Sequence, residues 1–405
     1  MMQNVFVIGM GLSLRDVTRD QLEIIRSADL LMGGRRHLDQ FSDLGMQKQV
    51  IGGKIAESMA SIRQGMAHER VVVLASGDPL LFGIGARIIA ELGGDRVTVL
   101  PNISSVAAAF ARINEPWGDA RVISLHGRDQ KYQLLEALQS SGPVAVLTDG
   151  RQSPAWLAQW LLQRGGHGWR MAVFEQMGAA EERYGWYALE EAVGKRFAQP
   201  NVVIFKRHPT ATFVQRGVHL GMSDDAFAHT DGLITKSEVR AVTLAKLRLT
   251  PGLTMWDLGA GSGSVGIEAA ALLGPGRIVA VEQKAERVAR IRENAGRFGL
   301  YNLEVVQAKL PQGLKALPPP ERVFIGGGGR DLAEIIGRAA DLLAHDGVMV
   351  ANTVLIDNLA LAVKAMQTKG LQTEVVQMQI SRSRAMPWSR RFEAQNPVWI
   401  VSGNR

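Results

Sequence analysis

Short apolar runs alternate with amphipathic stretches along the first half of the chain. Runs at 4–9, 71–75, 97–100, 144–147, 171–174 and 201–205, most of them followed by Gly, Pro or small polar residues, predict strands. Between them, 16–27, 84–92 and 153–163 carry apolar positions at helical spacing. After 206 the periodicity is lost, and it resumes near 230 with helices at 236–247, 264–273 and 285–298. Strands are predicted there at 254–258, 277–281, 303–307, 322–325 and 347–352. Strands separated by helices indicate an α/β layer structure, and the second half has the beat of a doubly wound sheet. The expected domains are 1–206 and 230–405, joined by a linker at 207–229. No internal repeat relates the halves.

With 405 residues, 46% of them hydrophobic, the chain has material for two or three cores. No apolar run approaches the ~18 residues of a membrane span, and residues 1–11 do not read as a signal peptide, so a cytoplasmic enzyme is expected. The absence of cysteine excludes disulfides, thiolate metal sites and a cysteine nucleophile. The eight histidines include no i, i+4 pair, so no dedicated metal site is expected. A net charge of +7 favours an anionic partner, and nucleic acid, a membrane surface or a small polycarboxylate would all satisfy it.

Asp257-Leu258-Gly259-Ala260-Gly261-Ser262-Gly263 follows an apolar run and opens a helix. Glycines there permit a tight turn and close approach of a ligand to free N–H groups at the helix start. Glu282 closes the next strand, where an acidic side chain accepts ribose hydroxyls. Gly261, Gly263 and Gly266 also fit a dinucleotide fingerprint. The acidic Asp257 just before the first glycine, placed to meet a methionine amino group, favours S-adenosylmethionine over NAD. The run Phe324-Ile325-Gly326-Gly327-Gly328-Gly329 leaves a strand end without side chains, and a flat substrate could lie on Gly326 and Gly327. Arg382, Arg384, Arg390 and Arg391 surround Trp388. Guanidinium forks suit carboxylates and an indole suits a planar ring, although an RNA-binding loop has the same ingredients. Asn396-Pro397-Val398-Trp399 is similar to the Asn-Pro-Pro-Tyr box of amino methyltransferases. It precedes the last strand rather than following the fourth, and is read as structural.

The first half resembles the tetrapyrrole methylases of corrin biosynthesis. The segments that carry the resemblance are Val7-Ile8-Gly9-Met10-Gly11, Gly33-Gly34-Arg35-Arg36, the 75–83 run around Ser76-Gly77-Asp78-Pro79, Ile103-Ser104-Ser105 and Ser124-Leu125-His126-Gly127-Arg128. The second half resembles the decarboxylating corrin methyltransferases through the 231–240 stretch containing Thr235-Lys236-Ser237-Glu238, the glycine turn, 324–329, Ile380-Ser381-Arg382 and Asn396-Pro397-Val398. The resemblance spans nearly the whole chain and implies a tetrapyrrole-methylase-type α/β domain followed by a Rossmann-like class I methyltransferase domain. It further implies two sites for S-adenosylmethionine, methylation of a corrin precursor at carbons 5 and 15, and loss of the ring C acetate carboxyl. Donor contacts implied in the first domain are Ser76, Gly77, Asp78, Leu81, Ser104, Ser105 and Gly178. In the second they are Thr235, Asp257, Gly259, Ala260, Gly261, Ser262, Gly263, Glu282 and Leu310. Arg382, Arg384, Trp388, Gly326 and Gly327 are the expected substrate contacts, and a homo-oligomer, a small polycarboxylate substrate and no nucleic-acid or membrane partner are implied. A cobalt-loaded substrate, and an RNA or protein methyltransferase, remain alternatives.

Three positions depart from the families' pattern. Asn102 stands in place of a glycine, which predicts a left-handed asparagine. Gln307-Ala308-Lys309-Leu310-Pro311 replaces a commoner motif near the adenine site, and Glu321 replaces aspartate. No base is assigned; the candidates are Asp78, His126, Glu175 and Glu321.

Overall fold

A computed structural model of the chain describes residues 5–52, 55–127, 130–139, 142–166, 168–208, 217–230, 232 and 234–405. Arg128, Asp231 and Leu233 of the quoted motifs, and 209–216 of the expected linker, lie outside the described residues. The chain forms two compact units, one of Met1–Asp129, Gly142–Leu157 and Arg170–Lys206, the other of Gln130–Ser141, Ala158–Trp169 and Arg207–Arg405. Among the described residues no helix is long and apolar enough to cross a membrane.

The first unit contains two sheets. Strands β1 (Val5–Gly9), β2 (Leu30–Gly33), β3 (Gln47–Val50), β4 (Val71–Ala75) and β5 (Val97–Leu100) form one in the order β3-β2-β4-β1-β5, all parallel. The residues of β4 are buried throughout, as a central strand covered on both faces requires. The second sheet joins β6 (Arg121–Ser124), β7 (Val144–Leu147), β8 (Trp169–Glu175), β9 (Arg183–Ala188) and β10 (Asn201–Arg207) in the order β6-β7-β10-β8-β9.

The second unit carries one seven-stranded sheet. Its strands are β11 (Thr254–Leu258), β12 (Arg277–Glu282), β13 (Leu303–Gln307), β14 (Arg322–Ile325), β15 (Val348–Thr353), β16 (Gln372–Met378) and, after the hairpin β17 (Ser381–Ala385) and β18 (Arg390–Ala394), β19 (Val398–Asn404). The order is β13-β12-β11-β14-β15-β19-β16, with β19 antiparallel to both its neighbours. Chain progression reverses at β11, so the crevice beyond β11 and β14 is the place where open α/β sheets bind ligands. Apolar side chains on both faces of this sheet form two cores. Met222 and Phe227, from the stretch expected to be linker, are buried in the first of these, so packing of this unit begins before residue 230.

Candidate active sites

In the second unit the glycine turn caps β11 at that crevice. Gly259, Gly261 and Gly263 all have positive φ, of 74°, 59° and 77°, which a residue with a Cβ would adopt only under strain. The turn after β14 lies close beside it: a Cβ added at Gly259 would sit 3.3 Å from the Gly327 backbone nitrogen. A Cβ on Gly261 would meet only open space and a single oxygen at 4.0 Å, so the turn presents bare backbone to a cavity of about 670 Å³.

Thr235, Gly259, Ala260, Gly261, Ser262 and Gly326 line that cavity. Other expected residues stand behind the wall. Gly263 is the left-handed residue that starts helix Ser264–Leu273 and packs on Ile291. Leu310 packs against the apolar core. Glu282 is buried, one oxygen accepting the Gly261 N–H at 3.1 Å and the other the N–H groups of Gln283 and Lys284 at 2.9 and 3.0 Å, so it braces the turn.

Asp257 is fully buried. Oδ2 accepts the Gly266 N–H at 3.0 Å, and Oδ1 has no hydrogen-bond partner among the described residues. Burial pushes this carboxyl up to about 7, against the Gly266 bond, and the nearby Glu282 adds to the rise. A buried, unpartnered acceptor next to a bare glycine turn fits a ligand that carries an ammonium group and a sugar, which is the chemistry of S-adenosylmethionine.

The arginine loop differs from its expected role. Arg382 donates to Glu238 through Nε at 3.0 Å and Nη2 at 2.5 Å, to Asp224 at 3.1 Å and to Ser237 Oγ at 3.0 Å. That hydrogen bond from Arg382 holds Glu238 down at about 2. Arg384 forks both oxygens of Glu393 at 3.0 Å. Both guanidiniums therefore hold the hairpin rather than offer themselves to a ligand. Trp388 is 81% exposed at its tip.

Several cavity residues escaped the sequence reading. Asn396 and Val398 line the wall although their motif was read as structural, because β19 inserts between β15 and β16 and brings its start to the crevice. Asn352, Arg287 and Arg290 also line it. The two arginines follow β12 at i, i+3 spacing, which points them the same way and could have been read as a signal.

In the first unit the ends of β1 and β4 meet at a bridge between Gly11 and Gly77, where the Gly77 N–H donates to the Gly11 carbonyl at 3.1 Å. Ser76, Gly77, Asp78, Leu81, Ser104 and Ser105 line a cavity of about 820 Å³ there. Asp78 Oδ1 accepts from the Leu80 and Leu81 N–H groups at 2.7 and 3.3 Å and so shapes the loop. Gly178 is not on the wall; with φ at 83° it lets the chain pass within 2.7 Å, measured from an added Cβ, of Leu12.

Asn102 does not adopt the left-handed conformation. Its Nδ2 donates to the carbonyls of Gly9 and Asp16 at 3.0 and 2.9 Å, and Oδ1 accepts the Ile103 N–H at 2.8 Å. The side chain bridges three backbone groups, a task glycine could not perform. Of the candidate bases, Glu175 pairs with Arg183 at 2.6 and 2.9 Å, and Glu321 accepts the Thr254 N–H at 2.8 Å. Both are structural. His126 remains on the cavity wall.

Comparison with known proteins bears on both halves. Tetrapyrrole (corrin/porphyrin) methylases match residues 4–192, and a precorrin methyltransferase domain family matches residues 225–404. A precorrin-6Y C(5,15)-methyltransferase (decarboxylating) of a Sinorhizobium species is 33% identical over 82% of this chain and 80% of its own. Shorter relatives include a probable cobalt-precorrin-6B C(15)-methyltransferase (decarboxylating) of Pyrobaculum calidifontis, 38% identical over 45% of this chain and 94% of its own. Another is a cobalt-precorrin-7 C(5)-methyltransferase of Salmonella typhimurium, 36% identical over 49% of this chain and 96% of its own. The chain therefore belongs to the precorrin-6Y C5,15-methyltransferases (decarboxylating), S-adenosylmethionine-dependent enzymes of cobalamin biosynthesis.

Proposed function

We propose that the chain holds two methyl-donor sites, one in each of the domains 1–206 and 230–405, and converts precorrin-6Y to precorrin-8x in the cytoplasm. The second domain methylates carbon 15 and removes the ring C acetate carboxyl; the first methylates carbon 5. The observation that carries this reading is the paired design of the cavities. Each opens on a bare glycine turn, and among the described residues each has a cationic lining: Lys236, Arg287 and Arg290 without an acidic side chain in one, Arg36 and Arg87 with one acidic residue, Asp78, in the other. Such walls suit a flat macrocycle bearing acetate and propionate arms.

The donor, when bound, supplies an electrophilic methyl group. The protein's part is to hold it and the macrocycle in line. Asp257, buried behind the turn with Oδ1 unpartnered among the described residues, would take the donor's amino group, Gly261 leaves room for the donor against the turn, and Glu282, turned from its backbone partners, would take the ribose hydroxyls. Positioning of this kind can contribute ~7–11 kcal/mol. When the acetate carboxyl leaves as carbon dioxide, the conjugated ring system takes up the electron pair, so no protein nucleophile is needed. Trp388 and the bare backbone of Gly326 and Gly327 are the flat surfaces for the ring. A homo-oligomer that binds no nucleic acid completes the reading.

The names of the shorter relatives favour testing a cobalt-loaded substrate alongside the metal-free one. Incubation of the full chain with each, followed by mass spectrometry, should show two methyl groups gained and one carbon dioxide lost from the true substrate. Calorimetry should find two S-adenosylhomocysteine sites per chain. A single site, or salt-sensitive RNA binding without corrin turnover, would refute the proposal.

A further inference from the structure

Three side chains on the wall of the first cavity form a cluster in which the methyl-transfer reading leaves His37 without a task. Arg36 and His37 follow β2 after Gly33-Gly34, and Ser76 follows β4, the adjacent strand. Arg36 Nη2 donates to Ser76 Oγ at 2.7 Å, and His37 Nε2 lies 2.9 Å from the same oxygen. Arg36 Nε also donates to His37 Nε2, at 3.3 Å. Because that nitrogen receives a guanidinium N–H, it must be an acceptor, so the proton of the neutral ring is on Nδ1 and the lone pair of Nε2 faces the hydroxyl. The Nδ1 atom is buried with no hydrogen-bond partner among the described residues. His37 itself is only 7% exposed, whereas Ser76 is exposed toward the cavity.

Methylation of a ring carbon that carries hydrogen replaces that hydrogen, so one proton must leave the substrate. The geometry points to Ser76 and His37 as the pair that removes it in the first site, Ser76 Oγ taking the proton from carbon 5 as its own proton passes to His37 Nε2. Atoms and charge balance. The new bond is to carbon, the hydroxyl is regenerated, and the positive charge brought in by the methyl donor ends on the imidazolium, which then loses its proton to water. This inference rests on the assignment of carbon 5 methylation to the first domain.

Arg36 sets when the pair is ready. Burial, and next the Arg36 charge, hold His37 down at about 4, so it is a neutral base throughout the physiological range. A guanidinium that turns to grip a carboxylate arm of the incoming macrocycle leaves Ser76 and relieves part of that depression. The ring becomes a stronger base only once substrate is seated. A C–H on a cationic, conjugated macrocycle is acidic enough for a weak base to remove. Among the described residues, the other ionisable side chains on this cavity are Asp78, Arg87 and His126. Asp78 is tied to its own loop, Arg87 to Glu91 at 3.1 Å, and His126 to the Thr148 carbonyl at 3.3 Å.

The test compares the full-length protein with His37→Gln, Ser76→Ala and His37→Ala, the last with and without added imidazole. Single-turnover formation of the carbon 5 methyl is followed by mass spectrometry and NMR, and S-adenosylhomocysteine binding by calorimetry. Loss of a general base predicts carbon 5 methylation slowed by about 10²–10⁴-fold in both His37 variants, with imidazole restoring part of the rate in His37→Ala, and ligand affinity unchanged within threefold or so. His37→Gln or Ser76→Ala within about twofold of the wild-type rate would overturn the inference. So would a loss that tracks weakened S-adenosylhomocysteine binding and is not rescued by imidazole. A wild-type product lacking the carbon 5 methyl would overturn the functional reading itself, and this inference with it.

Discussion

Asp257 accepts the backbone N–H of Gly266 at 3.0 Å, tying the end of β11 to the first turn of the helix that follows the glycine loop. Among the described residues only one of its oxygens finds a partner, and burial raises the carboxyl to about 7. A carboxyl raised in the folded state contributes stability that is present below the unfolded value near 4 and is lost as pH rises to about 7. In the absence of ligand, Asp257→Asn should therefore gain stability over the wild type between pH 4 and 8, by at most on the order of 4 kcal/mol. Thermal unfolding across that range reads it; parallel curves for the two proteins would show that Asp257 is ionised at neutral pH.

An ammonium placed at Oδ1 would pull the same carboxyl back down. Binding of S-adenosylhomocysteine near pH 6 should then release up to one proton. Calorimetry in buffers of different ionisation enthalpy measures this. Binding without proton release, with Asp257→Asn retaining wild-type affinity, would remove Asp257 from the donor site.

Arg382 and the hairpin tip can be separated. Arg382→Ala breaks bonds to Glu238, Asp224 and Ser237, and because the pair is partly exposed the expected cost is about 1 kcal/mol, seen as a lower Tm and a weaker donor site next to Thr235. Trp388→Ala and Arg390→Ala, at exposed positions, should leave Tm unchanged and raise the KM for the macrocycle. The reverse pattern would return Arg382 to substrate binding.

Glu268 and Arg240 are both fully buried, with Nε and Oε1 2.6 Å apart, and Glu268 also accepts the N–H groups of Gly221 and Met222 at 2.9 and 3.0 Å. Removing the Glu268 charge leaves buried Arg240 with Asp224, at 3.5 Å, as its remaining counter-charge, so Glu268→Gln should cost about 3 kcal/mol in denaturant unfolding of this domain. A loss under 1 kcal/mol would mean that water reaches the pair.

In the first domain, a Cβ on Gly9 would lie 2.6 Å from the Gly77 carbonyl oxygen and 2.9 Å from the Asn102 nitrogen, both backbone atoms. Gly9→Ala should displace the Ser76-Gly77-Asp78 loop and reduce the S-adenosylhomocysteine stoichiometry from two to one, with carbon dioxide still lost from the substrate. Retention of both sites would show that this loop does not hold donor.

Period-two and period-3.6 patterns made the buried strands legible. The expected strands at 71–75, 254–258 and 322–325 coincide with β4, β11 and β14, because central strands are apolar on both faces; the edge strand β5 also coincides with its expected run, 97–100. The hairpin β17–β18 carried no such signal: seven of its ten residues are charged or polar, with Arg382 opposite Glu393 and Arg384 opposite Arg391, and nearly all ten are exposed. The same lack of burial hid β9. In the sites, glycines announced themselves because their backbone angles are a local property. What Arg382 does was not local. Its partners lie about 145 residues away at Ser237 and Glu238, and farther at Asp224, and only the fold brings them together. His37 was hidden for a similar reason, since its partner Ser76 comes from the neighbouring strand.

The buried Arg240–Glu268 pair also decides where this protein can be divided. The carboxylate that neutralises Arg240 is itself covered by the backbone of Gly221 and Met222. A C-terminal fragment begun at Thr230 would retain the glycine turn and, His229 apart, the cavity wall, yet leave that carboxylate short of two of its donors and remove Phe227 from the apolar core. A fragment begun upstream of residue 217 keeps the plug in place. Assays of the isolated C-terminal half will report on its chemistry only when the cut falls on that side.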